Sequence, residues 1–267
     1  MPAPATLAEA LQPLLADPAR TAILLDLDGT LAPIVRDPEA ATVPEGVRQL
    51  VMRLPGRYGL VGVVSGRRAA TARRILGLGT IPYAGNHGAE LLPRGAHEPL
   101  VDPDADRWAG HVHGIVDAVG EETLRHAGLR REDKGPIVAL HWRGAEDEAG
   151  AERLAREIGA RAEASGLSLH EGRRVLELRP PVRIGKDVAV HRLLDGVPVD
   201  IALYIGDDRT DVDAFDALRA LVLSGRLEHV LCVGVASAET PDELADSADI
   251  LVDGPRGVRS LLDALGG

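Results

Sequence analysis

Short apolar runs that end in acidic or turn residues recur along this chain, and they restrict its fold more than any other feature. In TAILLDLDGT the run at 22–25 leads straight into Asp26 and Asp28. LVGVVSGR (60–67) ends in Ser65-Gly66-Arg67, IPYAGNHGAE (81–90) passes into a turn, and IALYIGDD (201–208) again ends in carboxylates. Runs of this length and composition suit strands buried on both faces of a parallel sheet, with polar groups at their C-terminal ends. Helical spacing falls between them over 44–54, 67–76, 185–194 and onward from Asp211, with Pro44 suited to a first helical turn. HVLCVGVA, DILVDG and GVRSLLDAL continue the alternation. Strand and helix in this rhythm predict an α/β fold with a doubly wound parallel sheet.

The rhythm breaks after about Pro93. RGAHEPLVDPD reads as a loop, residues 105–128 as one long helical segment, and PIVALHW (136–142), LSLHEG and RRVLELRP as strands around a helix at 146–164. This grouping is that of a small α+β module. We expect a core formed by residues 1–96 and 183–267, interrupted by an inserted α+β domain over 97–182.

Composition narrows the function. Lys and Arg number 30 against 41 Asp and Glu, a formal charge of −11. Nucleic-acid binding needs a basic footprint, so no nucleic-acid partner is expected. An anionic substrate would need local cations, from a metal or from placed Lys and Arg. No apolar stretch reaches the ~20 residues of a membrane span, and the start of the chain lacks the basic and apolar regions of a secretory signal. The one cysteine, Cys232, lies in an apolar run and permits no disulfide within the chain. A cytoplasmic protein with no membrane partner is expected.

Ligands of open α/β sheets bind beyond the C-terminal ends of the strands. Asp26, Asp28, Asp207, Asp208 and Asp211 all fall there. So many carboxylates in one crevice repel one another unless a cation lies among them, and all-oxygen ligands with room for a phosphate oxygen favour Mg²⁺. Asp26 and Asp28 are two apart, and in a strand side chains at that spacing point the same way. Gly29 permits a sharp turn and Thr30 adds a hydroxyl. Ser65 and Gly66 at a helix start could hold phosphate, and Lys186 could neutralise it. Singly, each of these is also an ordinary turn, cap or surface residue.

In order, D-x-D-G-T, S-G-R, K and G-D-D-x-x-D resemble the four-motif set of the haloacid dehalogenase superfamily, which implies a Rossmann-like core with an inserted cap. By that resemblance Asp26 is the nucleophile, forming an aspartyl-phosphate, and Asp28 the general acid and base. Thr30, Ser65, Gly66, Arg67 and Lys186 bind the phosphoryl group. Mg²⁺ is held by the Asp26 side chain, the Asp28 carbonyl and Asp207, with Asp208 or Asp211 at or behind them. GNHGAE, EDKGPIVALHWR, VLELRPP and GDDRTDVDAF further resemble trehalose-6-phosphate phosphatases. That likeness implies hydrolysis of trehalose 6-phosphate, with Glu132, Lys134, Arg143 and Glu177 of the cap contacting the sugar phosphate. His87 and His141 are either further contacts or packed, hydrogen-bonded histidines. Gly185-Lys186-Asp187 and Thr210-Asp211-Val212-Asp213 depart from the D-K-G and T-D-E-D common in the family. Phosphatases of sucrose phosphate, mannosyl-phosphoglycerate or a pseudo-disaccharide phosphate stay open, as do a phosphomutase and a silent sugar-phosphate sensor.

Overall fold

In the computed structural model, residues 6–35, 38–238 and 240–266 are described. The chain divides into two compact units, one formed by Met1–Leu100 with Ile184–Gly267 and the other by Val101–Arg183. Along the first unit run α1 (Leu7–Ala16), β1 (Thr21–Asp26), α2 (Glu45–Arg53), β2 (Leu60–Val64), α3 (Ala69–Leu76), β3 (Tyr83–Gly85), β4 (Glu90–Leu92) and the short β5 (Leu100–Val101). The second unit follows with α4 (Pro103–Asp106), α5 (Ala109–Asp117), α6 (Glu121–His126), β6 (Arg130–Asp133), β7 (Val138–His141), α7 (Glu148–Ala164), β8 (Ser168–Gly172) and β9 (Val175–Arg179). The first unit then resumes with α8 (Lys186–Leu194), β10 (Ile201–Gly206), α9 (Arg209–Leu223), β11 (His229–Ala236), α10 (Asp242–Ser247), β12 (Ile250–Asp253) and α11 (Gly254–Gly266).

The larger sheet has the order β12-β11-β10-β1-β2-β3-β4-β5, with β12 through β3 parallel and β4 antiparallel to β3. Alternation along its strands feeds two cores. Ile23 and Leu25 of β1 join Leu203 and Ile205 of β10 in a cluster with Leu11, Val51, Ile75 and Leu262, from α1, α2, α3 and α11. Ala22 and Leu24 join Tyr204 in a cluster with Val190, Phe215 and Leu244, from α8, α9 and α10. Asp26 has the parity of Ala22 and Leu24. Its carboxylate therefore emerges on the side of the sheet that carries α8 and α9, and this decides which groups can reach it.

The second unit is a four-stranded antiparallel sheet, ordered β6-β7-β9-β8. Val138, Leu140, Leu176 and Leu178 turn one face toward Val116, Ala155 and Ile158 of α5 and α7. Three expectations are corrected here. Residues 105–128 form three helices rather than one, parted near Trp108 and at Gly120, whose φ of +85° is a left-handed break. RGAHEPLVDPD contains β5. Arg130–Asp133, read as no element, is the edge strand β6; its four polar side chains hid it, because an edge strand needs no apolar face to pair. No helix among the described residues is long and apolar enough to cross a membrane.

Candidate active site

Three carboxylates meet at the C-terminal ends of β1 and β10. Oxygens of Asp26, Asp207 and Asp211 all lie within 4.8 Å of one another. Asp26 ends β1, Asp207 follows β10, and Asp211 belongs to the first turn of α9. Lys186, the first residue of α8, reaches between them. Its Nζ donates to Asp26 Oδ1 and to Asp211 Oδ1, each at 2.6 Å. Asp26 and Lys186 are each 4% exposed and Asp211 is fully buried, so these are charges in a low dielectric that would not persist unpaired.

The turn after β10 explains how Asp211 is aimed. Asp208 and Asp211 form a reciprocal capping box at the start of α9. Asp211 Oδ2 accepts from the backbone N–H of Asp207 at 3.0 Å and of Asp208 at 2.9 Å, while Tyr204 donates its hydroxyl to Oδ1 at 2.7 Å. Asp208 spends its own carboxylate on the N–H of Arg209, at 2.6 Å, and does not join the three. Glycines make the close approach possible. A Cβ on Gly206 would lie 2.1 Å from Asp211 Cγ, and one on Gly29, where φ is +86°, 1.9 Å from Asp207 Oδ2.

One ammonium faces three carboxylates, and their protons reflect the imbalance. Burial pushes the Asp26 carboxyl up; Lys186 opposes this while Asp211 and Asp207 reinforce it. Burial together with Asp211 raises Asp207 to about 7. Lys186 is itself raised: burial works against its charge, but Asp211 and Asp26 outweigh it. Clustered oxygen donors short of positive charge are what a hard divalent cation requires, so the residues fit Mg²⁺.

Other sequence candidates are placed around this cluster. Strand pairing stops at Asp26, so the alternation argument does not extend to Asp28. That residue lies in the turn where the N–H groups of Leu31 and Ala32 both donate to Leu27 O, at 2.9 and 2.8 Å. Its two carboxylate oxygens accept from Arg67 Nε and Nη2 at 2.6 and 2.7 Å. Thr30 Oγ1 donates to Asp207 Oδ1 at 3.4 Å. Ser65 is buried, with Oγ accepting from the Arg67 N–H at 3.1 Å. Gly66 lies against His87, whose Nε2 would be 2.6 Å from an added Cβ. His87 itself has φ +53° and donates its backbone N–H to Ser65 O at 3.0 Å, so it shapes the Ser65 loop.

In the second unit, Glu132, Ala139 and Glu177 are cross-strand partners, and so lie in one row on the face opposite the apolar cluster. His141 Nε2 donates to Glu132 Oε2 at 2.7 Å, which holds the Glu132 carboxyl below its usual range despite burial. Lys134 Nζ donates to Glu177 Oε1 at 2.7 Å, and Arg179 donates to Glu177 Oε2 from Nε and Nη2 at 2.8 and 2.6 Å. Glu132 lies within β6 and Lys134 in the turn between β6 and β7, where its N–H donates to Ile137 O at 2.9 Å. Arg143 is exposed, donates to Arg173 O at 3.5 Å and lines an open cleft of about 710 Å³ with Arg125, His126 and Glu146.

Sequence reasoning missed Tyr204, Arg179 and Glu90. Tyr204 had a signal, a lone hydroxyl in an apolar strand just ahead of the aspartates. Glu90, fully buried at the start of β4, accepts from the N–H of Ala69 at 2.9 Å; Arg68 Nε lies 3.4 Å from its other oxygen, within ion-pair range but without hydrogen-bond geometry.

Comparison with known proteins adds to this geometry. The profile of a family described as Trehalose-phosphatase matches residues 24–247. A trehalose-phosphate phosphatase of Mycobacterium avium is 35% identical over 213 residues, covering 76% of this chain and 53% of that protein. An uncharacterized glycosyl hydrolase of Mycobacterium tuberculosis is 35% identical over 211 residues, covering 75% of this chain and 15% of its own much longer one. The chain thus spans about half the length, or less, of these relatives. Among solved structures, a trehalose-6-phosphate phosphatase related protein superposes with a TM-score of 0.71 at 27% identity, over 92% of this chain and 96% of the other.

Proposed function

The chain belongs to the trehalose-phosphatase family, and from that premise we propose that it is a Mg²⁺-dependent phosphatase that hydrolyses trehalose 6-phosphate to trehalose and phosphate. The observation that carries the chemistry is the buried Asp26 carboxylate held at 2.6 Å by Lys186 beside Asp207 and Asp211. Asp26 is the nucleophile, fixed by the end of β1 below and by one ammonium at its side. Asp26, Asp207 and the Asp28 carbonyl would hold Mg²⁺, with Asp211, whose oxygens already accept from Lys186, Tyr204 and two backbone N–H groups, in or just behind them; the ion would supply positive charge against the oxygens of the transferring phosphoryl group. That group spreads its charge over equatorial oxygens, so most of the work is positioning and charge placement.

Lys186 and the Ser65–Gly66 turn bind the phosphoryl group, with Thr30 steadying Asp207. Asp28 gives a proton to the departing sugar oxygen and then takes one from the attacking water. In the second unit, Glu132, His141, Lys134 and Glu177 offer fixed acceptors and donors for sugar hydroxyls. A cytoplasmic setting belongs to the same reading.

The test is phosphate release from trehalose 6-phosphate, with Mg²⁺ and with EDTA, beside glucose 6-phosphate and sucrose 6-phosphate. We expect selective, Mg²⁺-dependent release that falls by about 10³-fold or more in Asp26→Asn. Release only from another ester would retain the core chemistry and reject the substrate. No release from any ester would reject the phosphatase reading.

A further inference from the structure

Among the described residues, Lys186 and Arg67 donate to aspartates of this site, and they divide the work. Lys186 donates to Asp26 and Asp211. Arg67 donates from Nε and Nη2 to the two oxygens of Asp28, at 2.6 and 2.7 Å. A forked pair of this kind fixes both the plane and the direction of a carboxylate. Asp28 needs such fixing, because it lies past the end of β1 with Gly29 next to it at φ +86°, and no sheet pairing beyond a single bridge to Ala32 orients it. Arg67 is itself anchored. Its N–H donates to Ser65 Oγ at 3.1 Å and its carbonyl accepts from the Asn86 N–H at 2.7 Å.

We propose that Arg67 is the positioning residue of Asp28, acting on the reaction through the general acid and base rather than by binding the transferring phosphoryl group. The inference rests on the phosphatase reading above. In the first half-reaction an Asp26 oxygen bonds to phosphorus as the bond from phosphorus to the sugar oxygen breaks; the electron pair stays on the sugar oxygen, which takes a proton carried by one Asp28 oxygen, and for this step that oxygen gives up its bond from Arg67 while the other keeps it. In the second, a water oxygen bonds to phosphorus and gives its proton to Asp28, while the bond to Asp26 breaks and the Asp26 carboxylate returns. A sugar oxygen cannot leave easily without that first proton, whereas 4-nitrophenolate leaves unprotonated. Because kcat/KM reports only the steps through the first irreversible one, a residue that aims Asp28 matters there for the sugar ester and little for the aryl ester. A residue that grips the phosphoryl group matters equally for both, since that group is the same.

The experiment compares kcat/KM for trehalose 6-phosphate and 4-nitrophenyl phosphate in the wild type, Arg67→Gln and Arg67→Lys. Asp28→Asn serves as the reference and Asp26→Asn as the background. The ratio of the two constants is unaffected by the fraction of protein that is folded. We expect Arg67→Gln to lower the sugar-to-aryl ratio about 100-fold, in the direction set by Asp28→Asn. Arg67→Lys, which keeps the charge but loses the fork, falls between. Inorganic phosphate as inhibitor gives a second, independent readout: its inhibition constant stays within about twofold in Arg67→Gln if Arg67 serves Asp28, and rises about tenfold or more if Arg67 binds the phosphoryl group. Equal loss on both esters with weakened phosphate inhibition would overturn the inference, as would unchanged kinetics on both. Wild-type protein that hydrolyses neither ester, or Asp26→Asn that retains full activity, would instead overturn the phosphatase reading on which it stands.

Discussion

Lys186 places one ammonium between two buried aspartates, so its removal leaves charge where water cannot reach. Breaking a buried pair on one side costs about 3–5 kcal/mol, because the abandoned partner stays desolvated. Lys186→Met should lower unfolding stability by that order in EDTA, as read by urea denaturation. A loss under about 1 kcal/mol would mean that the two carboxylates simply take up protons. Glu132 gives a milder test with a defined pH window. The hydrogen bond from His141 holds its folded carboxyl below the ordinary value, so the stabilisation is complete above the usual glutamate range and is lost as pH falls through the folded value. With 41% of its side chain exposed, Glu132 contributes under about 1 kcal/mol. The deficit of Glu132→Gln relative to wild type should therefore shrink as pH drops from about 6 to about 4; a deficit that holds constant would point to lost packing instead. At this scale the residue types were legible: Asp26, Lys186, Asp207 and Asp211 stand where strand ends and helix starts put them. The direction of Asp28 was not, because alternation governs a side chain only while its strand is paired. Tyr204 and Arg179 gain their roles from partners that folding brings close.

Glu90 shows how elements cooperate. The turn at Asn86–Gly88 doubles the chain back from β3 to β4, with His87 in a left-handed conformation, and so delivers the Glu90 carboxylate to the N-terminus of α3. Ala69 there is fully buried, and its N–H has no intrahelical acceptor. Removing the carboxylate leaves that donor unsatisfied, at a cost of about 1–3 kcal/mol. Glu90→Ala should lose that much, whereas Glu90→Gln, which keeps an acceptor of the same reach, should lose distinctly less. Equal losses, measured by denaturant midpoint, would assign the effect to the ion pair with Arg68. Parallel strands announced themselves through unbroken apolar runs, since both their faces are covered. β6 did not, because Arg130, Arg131, Glu132 and Asp133 carry no apolar signal, and the break at Gly120 was lost within continuous helical spacing.

At the scale of the molecule, the division into two units has an energetic counterpart. One apolar cluster draws its residues entirely from Val112 to Leu178, while the two clusters flanking the large sheet draw theirs from outside that segment. Each unit therefore holds a core that can be weakened by itself. Leu140 is fully buried at the centre of the smaller sheet, and truncating such a leucine costs about 2–5 kcal/mol in transfer and cavity terms. Distant, unconnected sites respond independently. In Leu140→Ala, amide exchange of β6, β7, β8 and β9 should quicken about 100-fold or more, while protection in β1 and β10 changes little. Mg²⁺ affinity at the Asp26 cluster, read by calorimetry, should stay at the wild-type value, because the carboxylates and Lys186 belong to the other unit. Exchange that quickens equally in both sheets would show instead that the two units unfold as one cooperative body, and that stability at the Asp26 cluster depends on the apolar packing of the insert.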